Sequence, residues 1–334
     1  MSFDEKMMRR ALQLAVCGRG EVSPNPMVGA VIVCGGVIIG EGYHRRYGGP
    51  HAEVNAVDSV THKSLLREST MYVTLEPCAH YGKTPPCADL IVRCGIPRVV
   101  IGCRDPFAKV DGRGIDRLLE AGVEVKVGVL EEECRMLNRR FITAHTLHRP
   151  FVTLKWACSA DGFLGEIGSS GPIPVAFSNP EGSVLVHKLR TEYDAILVGS
   201  GTVLADNPRL NVRRVDGRSP LKVVIDRRHR IAGNENIFSS GDTIVMDEPD
   251  VKTLLSALYD KGVTSLLVEG GAMVLHSFLE SGEWDNARIE ISPLKLGDKG
   301  YGHLLMPGFM PQRTFQCGSN RIVEIDNPSD VFGL

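Results

Sequence analysis

The sequence predicts a two-domain α/β protein, and three observations carry that reading. Its 334 residues exceed what one ordinary hydrophobic core organises. Short apolar runs of strand type alternate with longer runs of helical spacing, the pattern of sheets covered by helices on both faces. A break at His148-Arg149-Pro150 separates two such series, which puts the boundary near residue 147 and the domains at 1–146 and 147–334.

Phe3, Met7, Ala11, Leu14 and Ala15 recur at helical spacing, so residues 3–17 form an amphipathic helix that Gly18 and Gly20 stop. Ser23-Pro24-Asn25-Pro26 is a stiff loop because two prolines fix φ. Strands at 28–34 and 37–40 follow, joined at Gly35-Gly36, a pair suited to a hairpin turn. A Gly-rich basic loop with His44, Arg45 and Arg46 leads to a short helix starting near His51. Residues 71–75 are a buried strand ending at Glu76-Pro77-Cys78, and Pro85-Pro86 fits the first turn of the next helix, with Cys87 just inside it. A strand at 98–102, a helix at 115–121, a strand at 123–127 and one helix over 130–145 complete the first half. The second half opens on a strand at 151–157. It continues with strands at 194–198, 221–225, 243–246 and 265–268 and helices near 180–190, 251–260 and 272–280.

Composition narrows the function classes. Hydrophobic residues at 43% and charged residues at 23% are the makeup of a soluble globular protein. A net charge of -2 and a pI near 6.6 provide no global positive field for nucleic acid or an anionic membrane. The first ten residues are charged, and no run approaches the roughly 18 apolar residues that cross a bilayer, so a cytoplasmic location is expected. Nine cysteines, an odd number, argue against a disulfide framework.

The chemistry concentrates at Pro50-His51-Ala52-Glu53, Glu76-Pro77-Cys78 and Pro85-Pro86-Cys87. Catalytic zinc takes three protein ligands and leaves a position for water, and His51, Cys78 and Cys87 supply one imidazole and two thiolates. Glu53 stands outside that set, where a carboxylate is needed to carry a proton from water to a leaving amine. Both cysteines follow prolines at apparent helix starts, where orphan N–H groups favour thiolate. The competing reading is a closed structural site with Cys94 or His80 as fourth ligand, but such a site has no use for Glu53. Deaminases of free cytidine or of nucleic acid commonly show Pro-Cys-x-x-Cys. Here the eight residues 79–86 separate the cysteines, and they include His80, Tyr81, Lys83 and Thr84, a loop suited to an anionic substrate.

Pro24-Asn25-Pro26-x-Val28-Gly29, His51-Ala52-Glu53 and the run from Thr74 through Cys78, His80, Gly82 and Thr84 to Pro85-Pro86-Cys87 resemble the deaminase half of the bifunctional riboflavin-biosynthesis deaminase/reductase family. The second half is similar to that family's reductase domain through Val198 to Pro208 and Val268-Glu269-Gly270-Gly271. The resemblance implies a cytidine-deaminase-like three-layer α/β/α domain followed by a dihydrofolate-reductase-like α/β domain. It implies zinc-dependent deamination of 2,5-diamino-6-(5-phosphoribosylamino)pyrimidin-4(3H)-one, then NADPH-dependent reduction of its ribosyl side chain to ribityl.

By the same resemblance Asn25, His44, His80 and Lys83 line the first substrate pocket. Arg190 and Arg213 hold the substrate phosphate in the second, beside Leu210, and Cys158, Thr202, Asp206, Gly270 and Gly271 contact the cofactor. Gly270 and Gly271 also stand on their own, since a strand ending in two glycines before a helix lets backbone N–H groups approach a pyrophosphate. Gly199-Ser200-Gly201 lacks the third glycine of a dinucleotide fingerprint, because Leu204 takes its place. Lys155 and Glu269 are the candidates for orienting or proton-handling roles. Many family members carry Trp-Ile-Thr-Ser where this chain has Val175-Ala176-Phe177-Ser178, which removes a cofactor-stacking aromatic. Separated half-reactions favour a homo-oligomer, and the partner is a small molecule, with neither nucleic acid nor membrane expected. A nucleic-acid-editing deaminase and a zinc-stabilised binding module are the rivals; the long cysteine spacing and acidic balance oppose the first, and Glu53 the second.

Overall fold

The computed structural model describes residues 1–79, 85–106, 112–169, 171–248, 250–304 and 309–328. They divide into two units, Met1–His148 and Arg149–Leu334, each with its own sheet and core.

In the first unit α1 (Phe3–Val16) starts from a capping box. Ser2 Oγ accepts the Glu5 N–H at 3.2 Å while the Glu5 carboxylate accepts the Ser2 N–H at 2.7 Å. β1 (Gly29–Cys34) and β2 (Val37–Tyr43) form the hairpin, with Gly35 and Gly36 at φ 57° and 80°, the left-handed pair that an L side chain resists. α2 (Ala52–Ser59), β3 (Ser69–Leu75), α3 (Cys87–Cys94), β4 (Arg98–Cys103), α4 (Arg113–Glu120), β5 (Glu124–Val127), α5 (Glu131–Leu137) and α6 (Arg139–Leu147) follow. Among the described residues the sheet runs β2-β1-β3-β4-β5, antiparallel about β1 and parallel from β3 to β5.

Strand alternation divides this unit into two cores. Ala30, Ile32, Met71, Val73, Val99 and Ile101 face α2, α3 and α4 through Ala56, Ile91 and Leu118. Val31, Val33, Tyr72 and Val100 face α1 and α5 through Met8, Ala11 and Cys134. This is the α/β/α layering expected. Eight-residue helices such as α2 and α3 are unstable alone, so packing fixes them and the residues at their ends. Truncating buried Ile91 to alanine would cost about 2–5 kcal/mol and loosen the helix that starts at Cys87.

Two local expectations need correction. Pro86 is the N-cap of α3 and Cys87 its first residue, so the prolines precede the helix instead of occupying its first turn. The single helix expected over 130–145 is two, because Asn138 leaves helical geometry at φ -104°, ψ 18°.

In the second unit the elements are β6 (Phe151–Cys158), β7 (Gly165–Gly168), β8 (Gly171–Pro174), α7 (Pro180–Arg190), β9 (Ala195–Gly199), α8 (Ser200–Asp206), β10 (Leu221–Ile225), β11 (Thr243–Met246), α9 (Val251–Asp260), β12 (Ser265–Val268), α10 (Ala272–Ser281), β13 (Asn286–Ile291), β14 (Gly300–Tyr301), β15 (Arg313–Cys317) and β16 (Asn320–Asp326). The large sheet runs β11-β10-β9-β12-β6-β13-β16-β15, parallel as far as β13 and antiparallel beyond. β14, β7 and β8 make a small second sheet. Leu197, Val223, Leu266 and Val268 pack into the core on one face, and Ile196, Val198, Val224 and Leu267 into the core on the other. Among the described residues no helix is long and apolar enough to cross a membrane.

Candidate active sites

Three elements of the first unit bring the metal-type residues together. His51 is the N-cap of α2 and makes no capping bond with its ring; Cys78 lies just beyond the end of β3, and Cys87 opens α3. His51 Nδ1 lies 3.6 Å from Cys78 Sγ and 3.4 Å from Cys87 Sγ. Zinc with one nitrogen near 2.05 Å and sulfurs near 2.3 Å in a tetrahedron has N···S edges of about 3.6 Å, so these donors fit that ion. The Ala88 N–H donates to Cys78 O at 3.2 Å and the Cys87 N–H to Cys78 Sγ at 3.3 Å, which ties Cys78 twice to the start of α3.

The electrostatics match. The Cys87 thiol donates to Cys78 and, with His51 and the Cys87 N–H, holds the Cys78 thiol far below its ordinary range against the opposing cost of burial. Cys87 is pushed up by Cys78 and by burial, and His51 is raised to about 9, chiefly by its bond to Cys78. Glu53, in the first turn of α2 and 3% exposed, is raised by burial against the opposing charge of His51. A buried carboxyl displaced toward neutrality is suited to taking up and releasing a proton.

His44 packs edge-on against His51, with ring centroids 5.4 Å apart. Its Nδ1 lies 3.0 Å from Pro50 O, which can only accept, so the proton sits on Nδ1 and Nε2 accepts from Asn25 Nδ2 at 3.2 Å. Burial lowers the His44 pKa and keeps that ring neutral. Asn25 and His44 therefore meet beside the metal-type cluster. His80 and Lys83 lie outside the described residues.

Around this cluster stand residues that sequence reasoning missed. Glu76 Oε1 accepts the N–H groups of Gly114 and Ile115 at 2.9 and 3.3 Å, and Oε2 those of Asp105 and Gly112 at 3.4 and 3.2 Å. Gly114 in turn is pressed on the Pro77 carbonyl, where a Cβ would overlap it. The start of α4 is thus clamped to the residues just before Cys78. Asn55 Nδ2 donates to Tyr43 O at 2.8 Å and Pro50 O at 3.3 Å, joining the end of β2 to the start of α2. Asn138 reaches back to Met27. An acidic residue closing an apolar run was the available signal for Glu76; the two asparagines gave none.

In the second unit the candidates gather near the carboxyl ends of parallel strands. β9 runs into α8 and neighbouring β12 into α10, so Thr202 and Gly271 meet, the Gly271 N–H donating to Thr202 Oγ1 at 3.1 Å. Gly271 is the N-cap of α10 and the start of that helix has no side-chain cap. A Cβ on Gly270 would lie 2.7 Å from Val274 Cβ, and one on Gly271 3.2 Å from Thr202 Oγ1. Two residues without side chains at an uncapped helix start fit the anionic pyrophosphate of a nicotinamide dinucleotide. Asp206 closes α8, one turn from Thr202.

Glu269 follows β12, and its carboxylate is held by Arg190 from α7, Nε to Oε1 at 3.0 Å and Nη2 to Oε2 at 2.8 Å. Burial opposes its charge, yet Arg190 and Lys155 of β6 outweigh it and bring the carboxyl down to about 2. Arg190 Nη1 donates to Asn211 O at 3.3 Å, so each of the guanidinium's nitrogens has a protein partner. Arg213 is exposed in the field of Arg190, Arg209 and Arg214, and its N–H donates to Nδ1 of buried His187 at 3.2 Å. Burial and the charges of Arg190, Arg213 and Arg214 take His187 down to about 4, leaving it a neutral acceptor. The side chains of Leu210 and Cys158 are in the two cores, so any ligand contact there falls to main chain; Leu210 sits at φ 49°, left-handed for a residue with a Cβ.

Residues 1–103 match the model of the cytidine and deoxycytidylate deaminase zinc-binding region, and residues 150–324 that of the RibD C-terminal domain. The riboflavin biosynthesis protein RibD of Aquifex aeolicus is 39% identical over 321 residues, 89% of this chain and 88% of the relative. The chain belongs to the RibD family.

Its RibD relative in Escherichia coli is 35% identical, with 91% of this chain and 92% of the relative covered. The crystal structure of a diaminohydroxyphosphoribosylaminopyrimidine deaminase/5-amino-6-(5-phosphoribosylamino)uracil reductase from Thermotoga maritima is similar, with a TM-score of 0.88, 39% identity and 97% and 99% of the two chains covered. Acinetobacter baumannii RibD is similar too, with a TM-score of 0.90, 31% identity and 97% and 98% coverage. As a RibD-family protein, the chain is a bifunctional deaminase and reductase of riboflavin biosynthesis, and its cofactors are Zn2+ and NADPH. Phe177 is buried, and its carbonyl accepts from Asn320 Nδ2 at 2.9 Å.

Proposed function

We propose that residues 1–146 hydrolyse the exocyclic amine of 2,5-diamino-6-(5-phosphoribosylamino)pyrimidin-4(3H)-one, and that residues 147–334 reduce the ribosyl chain of the deaminated product to ribityl. The observation that carries the first step is the convergence of His51 Nδ1 and two thiol sulfurs, 3.4 and 3.6 Å away, beside buried Glu53. His51, Cys78 and Cys87 hold the zinc. Bound there, zinc supplies a Lewis acid that brings the ionisation of water near pH 7. Glu53 takes the proton from the attacking water and hands it to the departing amine, so ammonia leaves and a carbonyl remains. Asn25 and neutral His44 orient the pyrimidine, and His80 and Lys83, outside the described residues, are assigned to the phosphoribosyl group by chemistry alone.

In the second step NADPH supplies the hydride. Gly270 and Gly271 take its pyrophosphate, with Thr202, Asp206 and main chain at Cys158 along the rest of the cofactor. Lys155 delivers the proton needed as the ribose ring opens. Glu269, ionised and bidentate with Arg190, orients; a carboxyl held near 2 is a poor proton donor at neutral pH. Arg213 is the cation presented to the substrate phosphate, beside Leu210, with Arg190 acting there through Glu269. The enzyme works as a cytoplasmic homo-oligomer on a small molecule, without nucleic acid, and light scattering after gel filtration reads the assembly.

Glu53→Gln tests the division of labour. It is expected to retain one zinc per chain, to lose ammonia release by about a hundredfold or more, and to oxidise NADPH on the deaminated product at the wild-type rate. Loss of both activities, or of neither, refutes two independent sites.

A further inference from the structure

We infer that Asn138 is a positioning residue of the deaminase site, setting the loop that carries Asn25; this rests on the reading of Asn25 as a substrate ligand. Its amide treats Met27 as a neighbouring strand would. The Met27 N–H donates to Asn138 Oδ1 at 2.8 Å, and Asn138 Nδ2 donates to Met27 O at 2.9 Å, across 111 residues of sequence. Both ends of the amide are used, so its orientation is fixed: flipped, it would set donor against donor and acceptor against acceptor. Asn138 is 2% exposed, and no water is needed to complete the pair.

The clamped loop has little other freedom. Pro24 and Pro26 hold two φ angles, the Asn25 N–H donates to Val22 O at 2.9 Å, and Val28 O accepts the His44 N–H at 2.9 Å. Met27, between Asn25 and Val28, is the point where the loop is pinned from outside. From there the hydrogen bonds run from Asn25 to His44 and from His44 to Pro50, the residue before His51. The break between α5 and α6 falls at Asn138 itself, the residue whose side chain leaves the helix pair for Met27. The metal-type residues and Glu53 are set by α2, β3 and α3, so the loop governs where the substrate sits more than how the proton moves.

The test uses the full-length enzyme with zinc, following ammonia release against diaminopyrimidine concentration. Asn138→Ala is expected to raise KM about tenfold, to leave kcat within about threefold, and to keep wild-type zinc content and NADPH oxidation. Combined with Asn25→Ala it adds no further rise, because the two act through one loop. Asn138→Asp carries the sharper signature. Its ionised carboxylate faces the Met27 carbonyl, whereas its neutral form restores one donor and one acceptor. Its KM relative to wild type is therefore expected to fall from about tenfold at pH 8 toward parity at pH 6. An unchanged KM in Asn25→Ala overturns the substrate role of Asn25 and the positioning role with it. A raised KM there, with an unchanged KM in Asn138→Ala, overturns the positioning role alone. If Asn138→Ala loses zinc or fails to fold, Asn138→Asp decides, and a KM ratio that does not move with pH overturns the inference.

Discussion

Arg190→Met separates two roles for the arginine that α7 delivers to the second site. Glu269 has a side chain only 10% exposed, and its carboxyl lies near 2 where an ordinary one titrates at 4.5. The difference corresponds to about 3 kcal/mol of preference for the charged form. Because the folded-state pKa is depressed, that stabilisation is present above about pH 4.5 and is lost as pH falls toward 2. Removing Arg190 takes the bidentate partner from a buried carboxylate, and stranding one member of a buried pair costs about 3–5 kcal/mol. For a unit of this size that lowers Tm by roughly 6–20 °C. Calorimetry of the full chain at pH 7.5 reads the shift. Arg190→Met/Glu269→Gln, with no stranded charge, is expected to recover at least half of it. Denaturant curves should show the wild-type advantage steady from pH 8 to about 5 and shrinking below about pH 4. The same variants report on substrate. If Arg190 acts through Glu269, its removal raises the KM for reduction in the wild-type background and adds nothing once Glu269 is Gln. A Tm drop under about 2 °C, or a double variant no more stable than the single, would refute the buried-pair account.

Glu76→Gln keeps an oxygen for Gly114 and Ile115 but turns an NH2 toward the N–H groups of Asp105 and Gly112. The first unit should lose about 2–4 kcal/mol in urea unfolding and give up zinc to a chelator faster, and unchanged chelation kinetics would count against Glu76 as support for Cys78. Gly270→Ala sets a methyl against Val274 and is expected to raise the KM for NADPH about tenfold; Val274→Ala in the same chain should restore much of it, as steady-state kinetics would show.

The legible parts of the fold and site were those whose cause is local. The helix at the start, the Gly35-Gly36 hairpin and the strand-helix alternation follow from periodicities a few residues long. The zinc-type residues were legible because their chemistry is rare and their motifs compact. What stayed hidden depends on distant partners. Nothing near Asn138 announces Met27, and an apolar rhythm running through 130–145 conceals the break there. The pattern around Arg190 shows a helix-end cation, while its bond to Glu269 depends on how α7 lies against the end of β12. β7 and β8 are short and rich in Gly and Pro, and α8 begins at Ser200-Gly201, a poor helix start by propensity. β13, β15 and β16 fell outside a pattern tuned to parallel strands between helices.

The clustered core residues of the first unit run from Met8 to Cys134, and those of the second from Val152 to Ile325. A cavity opened at Ile91 therefore draws on one reserve of stability and a cavity at Leu267 on another, so damage to either half is not averaged over the whole chain. Substitutions in either half act first on the core of that half. A cell carrying such a variant would accumulate the substrate of the damaged step and still make the catalyst for the other.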